Sequence, residues 1–204
     1  MTKSTKNSSW WGTIITAIIM ILIVILLRVF VFSPVIISGH SMDPTLHNGE
    51  RVIALKHTKI ERFDIVTLKA PDNPDEDYVK RIIGLPGDTI EMKNDQLYIN
   101  GKKYDEPFLD DYIKKMKNHT LANVYPEQFK YVANTAQNFT NNFTLQDLEA
   151  TGGKVKVPKD SYFVMGDNRL VSKDSRYLGF IPKSSILGEV KFAFWPLKYF
   201  GPIH

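Results

Sequence analysis

Hydrophobic and polar positions divide the chain into two unlike parts. From Trp10 to Leu27 it is apolar on every side, with Gly12, Thr13 and Thr16 the only weakly polar members. A helix that is hydrophobic all round is not the amphipathic surface helix of a globular domain. At 1.5 Å rise per residue the run covers roughly 27 Å, close to the hydrocarbon thickness of a bilayer. It predicts a transmembrane helix over residues 10–28, preceded by a short terminus of residues 1–9. Val29 to Ile37 stays apolar and rich in β-branched residues, and predicts an opening strand lying against the outer leaflet.

Beyond Pro34 the rhythm shortens. Arg51 to Leu55, Asp64 to Leu68, Tyr78 to Ile83 and Thr89 to Met92 carry β-branched or aromatic residues between turn signals, and read as strands. Asn100-Gly101 joins Leu97–Ile99 to Lys102–Tyr104 as a type I′ hairpin. Lys154 to Val157, Tyr162 to Met165 and Gly188 to Trp195 supply later strands. No βαβ rhythm is present. The expected fold is therefore mainly β: an N-terminal transmembrane helix, then a mixed, mostly antiparallel β domain with a small α/β insertion lobe. The β domain is assigned to residues 29–106 and 154–204, and the lobe to residues 107–153. Within the lobe, Asp110 to Lys117 and Pro126 to Gln137 read as short helices, followed by the polar Asn138 to Thr144. Asn118, Asn138 and Asn142 head glycosylation triplets, which arise by chance in Asn/Thr-rich loops.

Charge sets the orientation. Before Pro34 the only charged side chains are Lys3, Lys6 and Arg28, and all are basic. Two lysines at the N-terminal end against one arginine at the other favour a cytoplasmic N-terminus and an extracytoplasmic domain. Trp10 and Trp11 suit the near interface, and Arg28 can snorkel at the far one. A cleavable signal peptide is the rival, but Val31-Phe32-Ser33 lacks the small residues expected at both recognition positions before a cut. The formal net charge is +4, and without the three residues just named the remainder is nearly neutral. It shows no basic recognition face, so no nucleic-acid partner is expected. There is no cysteine, which excludes thiol catalysis and any Cys-based zinc site.

Three segments carry candidate chemistry. S-G-H-S-M-D-P-T, Ser38 to Thr45, lies shortly after the anchor. Gly39 permits an unusual turn and Pro44 stiffens its exit, so Ser41 can be presented with backbone N–H groups beside it. The same letters also suit a plain tight turn. Y-V-K-R-I-I-G-L-P-G-D, Tyr78 to Asp88, puts Lys80 in a strand whose two faces are largely apolar. Burial disfavours an ammonium ion, so a desolvated Lys80 could take a proton from Ser41, whereas an ordinary strand lysine would snorkel to water. G-D-N-R-L-V-S-K-D-S-R, Gly166 to Arg176, gathers polar groups at the end of an apolar strand. Asp167 can pair with an arginine, Ser172 can hydrogen-bond an amine, and Asp174 with Arg176 can fix the loop. A solvated loop with surface ion pairs is the plainer alternative. Histidine bases remain open: His40 is adjacent to Ser41 and would project away from it, while His47 and His57 lack a recognisable setting. No metal-ligand spacing is found among these histidines and Asp43, so no metal or other cofactor is expected.

Taken in order after an N-terminal anchor, these segments resemble those of bacterial type I signal peptidases, membrane-anchored Ser/Lys proteases. The resemblance covers the anchor and nearly the whole outer domain, except around Leu121 to Thr144. It implies Ser41 as nucleophile and Lys80 as general base. Ser172 would orient Lys80, with Asp167, Asp174, Arg81 and Arg176 supporting the site. Some family members carry a serine two positions before the nucleophile that assists the oxyanion. Here that position is Gly39, leaving the Ser41 backbone N–H as the expected donor. Substrate would align beside an edge strand, with Val35, Ile36, Ile37, Ser38, Gly39 and Met42 as expected contacts. The implied partners are preproteins carrying signal peptides, cut at small-residue (Ala-X-Ala-like) sites, and the lipid bilayer, with the chain acting as a monomer. The S-x-x-K and K-T-G motifs of penicillin-binding proteins are absent, and a self-cleaving repressor would carry a DNA-binding module instead of an anchor. A non-catalytic membrane-tethered β domain that binds exported proteins is the remaining alternative.

Overall fold

The computed structural model describes residues 9–203. Helix α1 runs Ser9–Phe30, and its Trp10–Phe30 stretch is the one helix among the described residues long and apolar enough to cross a membrane. It extends past the expected end at residue 28, because Val29 and Phe30 remain apolar and nothing breaks the helix before Pro34. Proline disfavours helical backbone at the residue before it, here Ser33. The opening strand is therefore shorter than Val29 to Ile37. Strand β1 is Phe32–Ile36.

The chain continues through β2 (Arg51–Leu55), β3 (Ile65–Lys69), β4 (Asp77–Gly84), β5 (Ile90–Lys93), β6 (Gln96–Ile99) and β7 (Lys102–Tyr104). Helices α2 (Asp110–Lys117) and α3 (Lys130–Thr135) follow, then β8 (Phe143–Thr144) and β9 (Ser161–Met165). The short helix α4 (Ser175–Leu178), β10 (Ile181–Pro182), β11 (Ile186–Trp195) and β12 (Gly201–Pro202) complete the order. All paired strands are antiparallel. One sheet runs β1-β2-β11-β3-β4-β9-β10, with β12 paired to β11, and a second runs β7-β6-β5-β8. Because β1 is an edge strand, Pro34 removes no ladder bond that a further strand would need.

Two expectations change in detail. Lys154 to Val157 is not a strand: Gly152 and Gly153 take positive φ (62° and 72°) just before it, and Pro158 follows. Only Val157 pairs, exchanging backbone bonds with Asp88 and Gly87, while its side chain enters the core. Pro126 to Gln137 is a 3-10 turn, Glu127–Phe129, leading into α3, which stops when Ala136 becomes extended. The Asn100-Gly101 turn has positive φ at both residues (53° and 75°), as a type I′ hairpin requires.

The stretch 107–153 is tied to the rest at several places. Strand β8 completes the second sheet by pairing with β5. Leu109, Tyr112, Leu121, Tyr125 and Phe139 form an apolar cluster onto which Leu170 and Val171, from the segment after β9, also pack. The lobe is thereby fixed to the loop that carries much of the candidate site.

Candidate active site

Ser41 sits in a turn just past the free end of β1. Gly39 enters that turn at φ 88°, a left-handed conformation that a side chain would strain, and its N–H donates to Asn48 Oδ1 at 2.9 Å. Glycine at this position is thus demanded by the backbone, which accounts for the missing hydroxyl two residues before Ser41. Ser41 N–H has no acceptor among the described residues.

Strand β4 places Lys80 opposite. Its N-terminal half pairs with β3 alone, since β9 reaches only from Arg81 onward, so the strand is open on one side beside Tyr78 and Lys80. Lys80 is nevertheless only 4% exposed. Its Nζ donates to Ser41 Oγ at 2.9 Å. Burial pulls its pKa down to about 8, against the upward pull of Asp174 and Asp167. Desolvation wins because neither carboxylate forms a direct ion pair with the amine, and each is already committed to an arginine.

Those commitments are specific. Arg81 donates Nε to Asp167 Oδ1 (2.9 Å) and Nη2 to Asp167 Oδ2 (2.7 Å), in a pair almost without solvent contact. Phe108 from the lobe lies under the same guanidinium, 3.9 Å from ring centre to Cζ. Thr45 donates its hydroxyl to Asp167 at 2.5 Å, linking the nucleophile turn to this pair. Asp174 accepts from Arg176 Nε and Nη2, both at 2.8 Å, and from the Gly166 N–H at 3.0 Å. Burial pushes the Asp174 carboxyl up, but Arg176, the Gly166 N–H and Lys80 together hold it below the usual value. A lysine with a lowered pKa, beside two carboxylates each paired with an arginine, is the electrostatic outcome.

Ser172 is buried near the end of the same loop, and its Oγ has no hydrogen-bond partner; the expected Ser172–Lys80 bond is not formed in this structure. Gly166 explains how closely the pieces meet. A Cβ there would lie 2.2 Å from Ser172 Oγ and 2.4 Å from the Ser41 carbonyl oxygen.

Sequence reasoning passed over three residues that hold the site. Asn168 donates its backbone N–H to Ser41 O and its Nδ2 to His40 O, both at 3.0 Å. Tyr125 in the lobe donates to Asn168 Oδ1. Arg169, fully buried, bonds Gly166 O and pairs with Glu106 at the lobe's entrance. Asn168 and Arg169 lay inside the quoted Gly166–Arg176 segment, where their polarity beside an apolar strand was the available signal. Tyr125 gave none.

His40 and His47 are engaged elsewhere. His40 Nδ1 meets Asp43 Oδ2 at 2.9 Å, His47 pairs with Glu50 and stacks on Tyr199, and neither bonds Ser41. Above the Ser41–Lys80 pair lies a cleft of about 260 Å³. Ile36, Ile37, Ser38, Gly39 and Met42 line it as expected, joined by Tyr78 and Val79 from β4 and by Phe129 from the lobe. Val35 does not line it; its half-buried side chain packs against the core cluster that contains Ile37 and Met42.

Residues 10–195 match the protein family described as signal peptidase, peptidase S26. The chain belongs to that family. It is 42% identical over 200 residues to signal peptidase I of Streptococcus pneumoniae, covering 94% of both chains. With signal peptidase I of Bacillus caldolyticus it shares 44% over 183 residues, 88% of each. A crystal structure of a signal peptidase I from Enterococcus faecalis superposes with a TM-score of 0.51 at 42% identity, covering 65% of this chain and 97% of that one. The chain is accordingly a membrane-anchored serine endopeptidase that removes signal peptides from exported preproteins by Ser/Lys chemistry. Its single apolar helix and the β domain beyond it give a single-pass protein of the cell membrane, with the β domain outside the cytoplasm. The reading as a purely binding domain falls away.

Proposed function

We propose that Ser41 is the nucleophile and Lys80 the general base of this peptidase, acting in one monomer. The observation carrying the assignment is the 2.9 Å contact between Lys80 Nζ and Ser41 Oγ, made by an amine whose pKa burial has drawn down to about 8. A neutral amine accepts the hydroxyl proton as Ser41 Oγ attacks the scissile carbonyl. The proton then passes to the departing amine of the mature protein, and the regenerated neutral Lys80 activates water against the acyl-enzyme.

Developing negative charge on the carbonyl oxygen is assigned to the Ser41 N–H, a donor with no acceptor among the described residues. The Gly39 N–H is already taken by Asn48. Pairing Asp167 with Arg81 and Asp174 with Arg176 weakens the upward pull of these carboxylates on the Lys80 pKa. Ser172 receives the orienting role once Ser41 Oγ is esterified and Lys80 needs another hydroxyl. An extended substrate fits between β1 and the open half of β4. Ile36, Ile37, Met42 and Tyr78 leave a shallow apolar cleft suited to Ala-like side chains before the cut. Sharing the membrane with its substrate removes part of the encounter entropy.

Incubation of wild type, Ser41→Ala and Lys80→Ala with a preprotein in detergent, followed by N-terminal sequencing of the product, tests the assignment. Cleavage after a small residue by wild type alone is expected. Normal cleavage by either folded variant would remove that residue from its role.

A further inference from the structure

A second cleft, of about 400 Å³, lies where the membrane helix meets the β domain. Strand register fixes this position: Phe32, the first residue of β1, pairs with Leu55, and the cleft begins at the next residue, Lys56. Lys56 is bonded to the helix end itself. Its Nζ donates to Val29 O at 2.9 Å and Arg28 O at 3.4 Å, and its backbone N–H to Val31 O at 2.8 Å. Since Trp10–Phe30 spans the bilayer with its C-terminal end outward, the cleft stands at the level of the outer headgroups.

Its chemistry is one-sided. Lys56, Lys59 and Lys183 line it with His57, and no carboxylate does. The ion pair of Lys59 with Glu61, at 3.2 Å, is strongly solvent-exposed on both sides and competes weakly with another anion. Thr58, also in the lining, has a buried hydroxyl with no partner. The remaining wall is apolar, with Ile60, Ile186 and Leu187. Cations, a spare hydroxyl and an apolar wall at headgroup depth match a phosphodiester attached to hydrocarbon. A free inorganic anion would leave the apolar wall unused.

We propose that this cleft binds the phosphodiester headgroup of an anionic lipid of the outer leaflet, through Lys59, Lys183 and Thr58, with Lys56 tying the site to the end of α1.

Native mass spectrometry of the full chain in detergent, titrated separately with phosphatidylglycerol, phosphatidylcholine and inorganic phosphate, tests this. A basic residue at an anionic surface contributes roughly fivefold in binding. The double variant Lys59→Gln/Lys183→Gln should therefore bind phosphatidylglycerol about 25-fold more weakly than wild type. The control Lys102→Gln/Lys103→Gln, on the second sheet, should bind like wild type. Preprotein cleavage in detergent reports that each variant is folded, and if the double variant is not, Lys183→Gln alone should lose about fivefold. Phosphatidylcholine binding as tightly as phosphatidylglycerol would overturn the proposal. So would phosphate binding as tightly as the lipid, or equal losses in both double variants.

Discussion

Asn168 holds the backbone of Ser41 from below: its N–H donates to the Ser41 carbonyl at 3.0 Å while its side chain grips the carbonyl of His40. Through Tyr125 the same asparagine is bonded to the lobe, so the position of Ser41 depends on a segment outside the sheet that carries Lys80. Asn168→Ala keeps the backbone bond but loses both side-chain bonds. A shift of the attacking oxygen by a fraction of an ångström is the consequence. We expect kcat on a preprotein to fall about ten- to a hundredfold with KM nearly unchanged. A change confined to KM would place Asn168 in substrate binding instead.

Gly166 admits no side chain. A methyl there meets the Ser41 carbonyl oxygen at 2.4 Å and the Ser172 hydroxyl at 2.2 Å. Gly166→Ala should abolish cleavage even where the protein still folds, with circular dichroism as the check on folding. Wild-type turnover by that variant would show that the nucleophile turn can move aside.

The unpartnered Ser172 hydroxyl separates stability from catalysis. Replacing a buried hydroxyl that makes no bond removes a desolvation penalty of about 1–3 kcal/mol rather than a favourable contact. Ser172→Ala should melt at or above the wild-type temperature and yet cleave more slowly. A drop in both would mark Ser172 as a packing residue only.

The lysine itself is expected to destabilise the fold at neutral pH. Its folded pKa, about 8, lies below the model-compound value of about 10.4. Between these values the unfolded chain binds the extra proton, so stability rises with pH across that window and is lower below it. The difference is on the order of 3 kcal/mol. Lys80→Met, which keeps the length without the charge, should raise the melting temperature at pH 7 and do so less at pH 10. An equal or lower melting temperature at pH 7 would mean that Lys80 is not desolvated.

Much of this was legible in the sequence, for reasons that differ by element. Helix α2 and the β6–β7 hairpin follow from local rules alone, an amphipathic run in one case and Asn-Gly in the other. The end of α1 was read two residues short because apolarity does not distinguish helix from strand once the bilayer is crossed. Lys154 to Val157 looked like a strand by composition, but two left-handed glycines and a proline leave no length for a ladder. At the site, the three motifs pointed to Ser41, Lys80 and the charged residues that the structure brings beside them. What no local pattern could show was the long-range partner of each: Asn48 for Gly39, Glu106 for Arg169, Tyr125 for Asn168. Val35 was drawn toward the substrate by its place on the edge strand, although its side chain packs against the core cluster.

The central claim is that burial against Ser41 lowers the Lys80 pKa to about 8, so that a useful fraction of the amine is neutral and able to take the Ser41 proton near neutral pH. Labelling the lysine side chains with ¹³C at Cε and following the Lys80 signal in the folded, unliganded enzyme against pH measures this directly. The titration should centre near 8, and the rise of kcat/KM with pH should follow the same curve. A midpoint near 10.4, the ordinary lysine value, would contradict it.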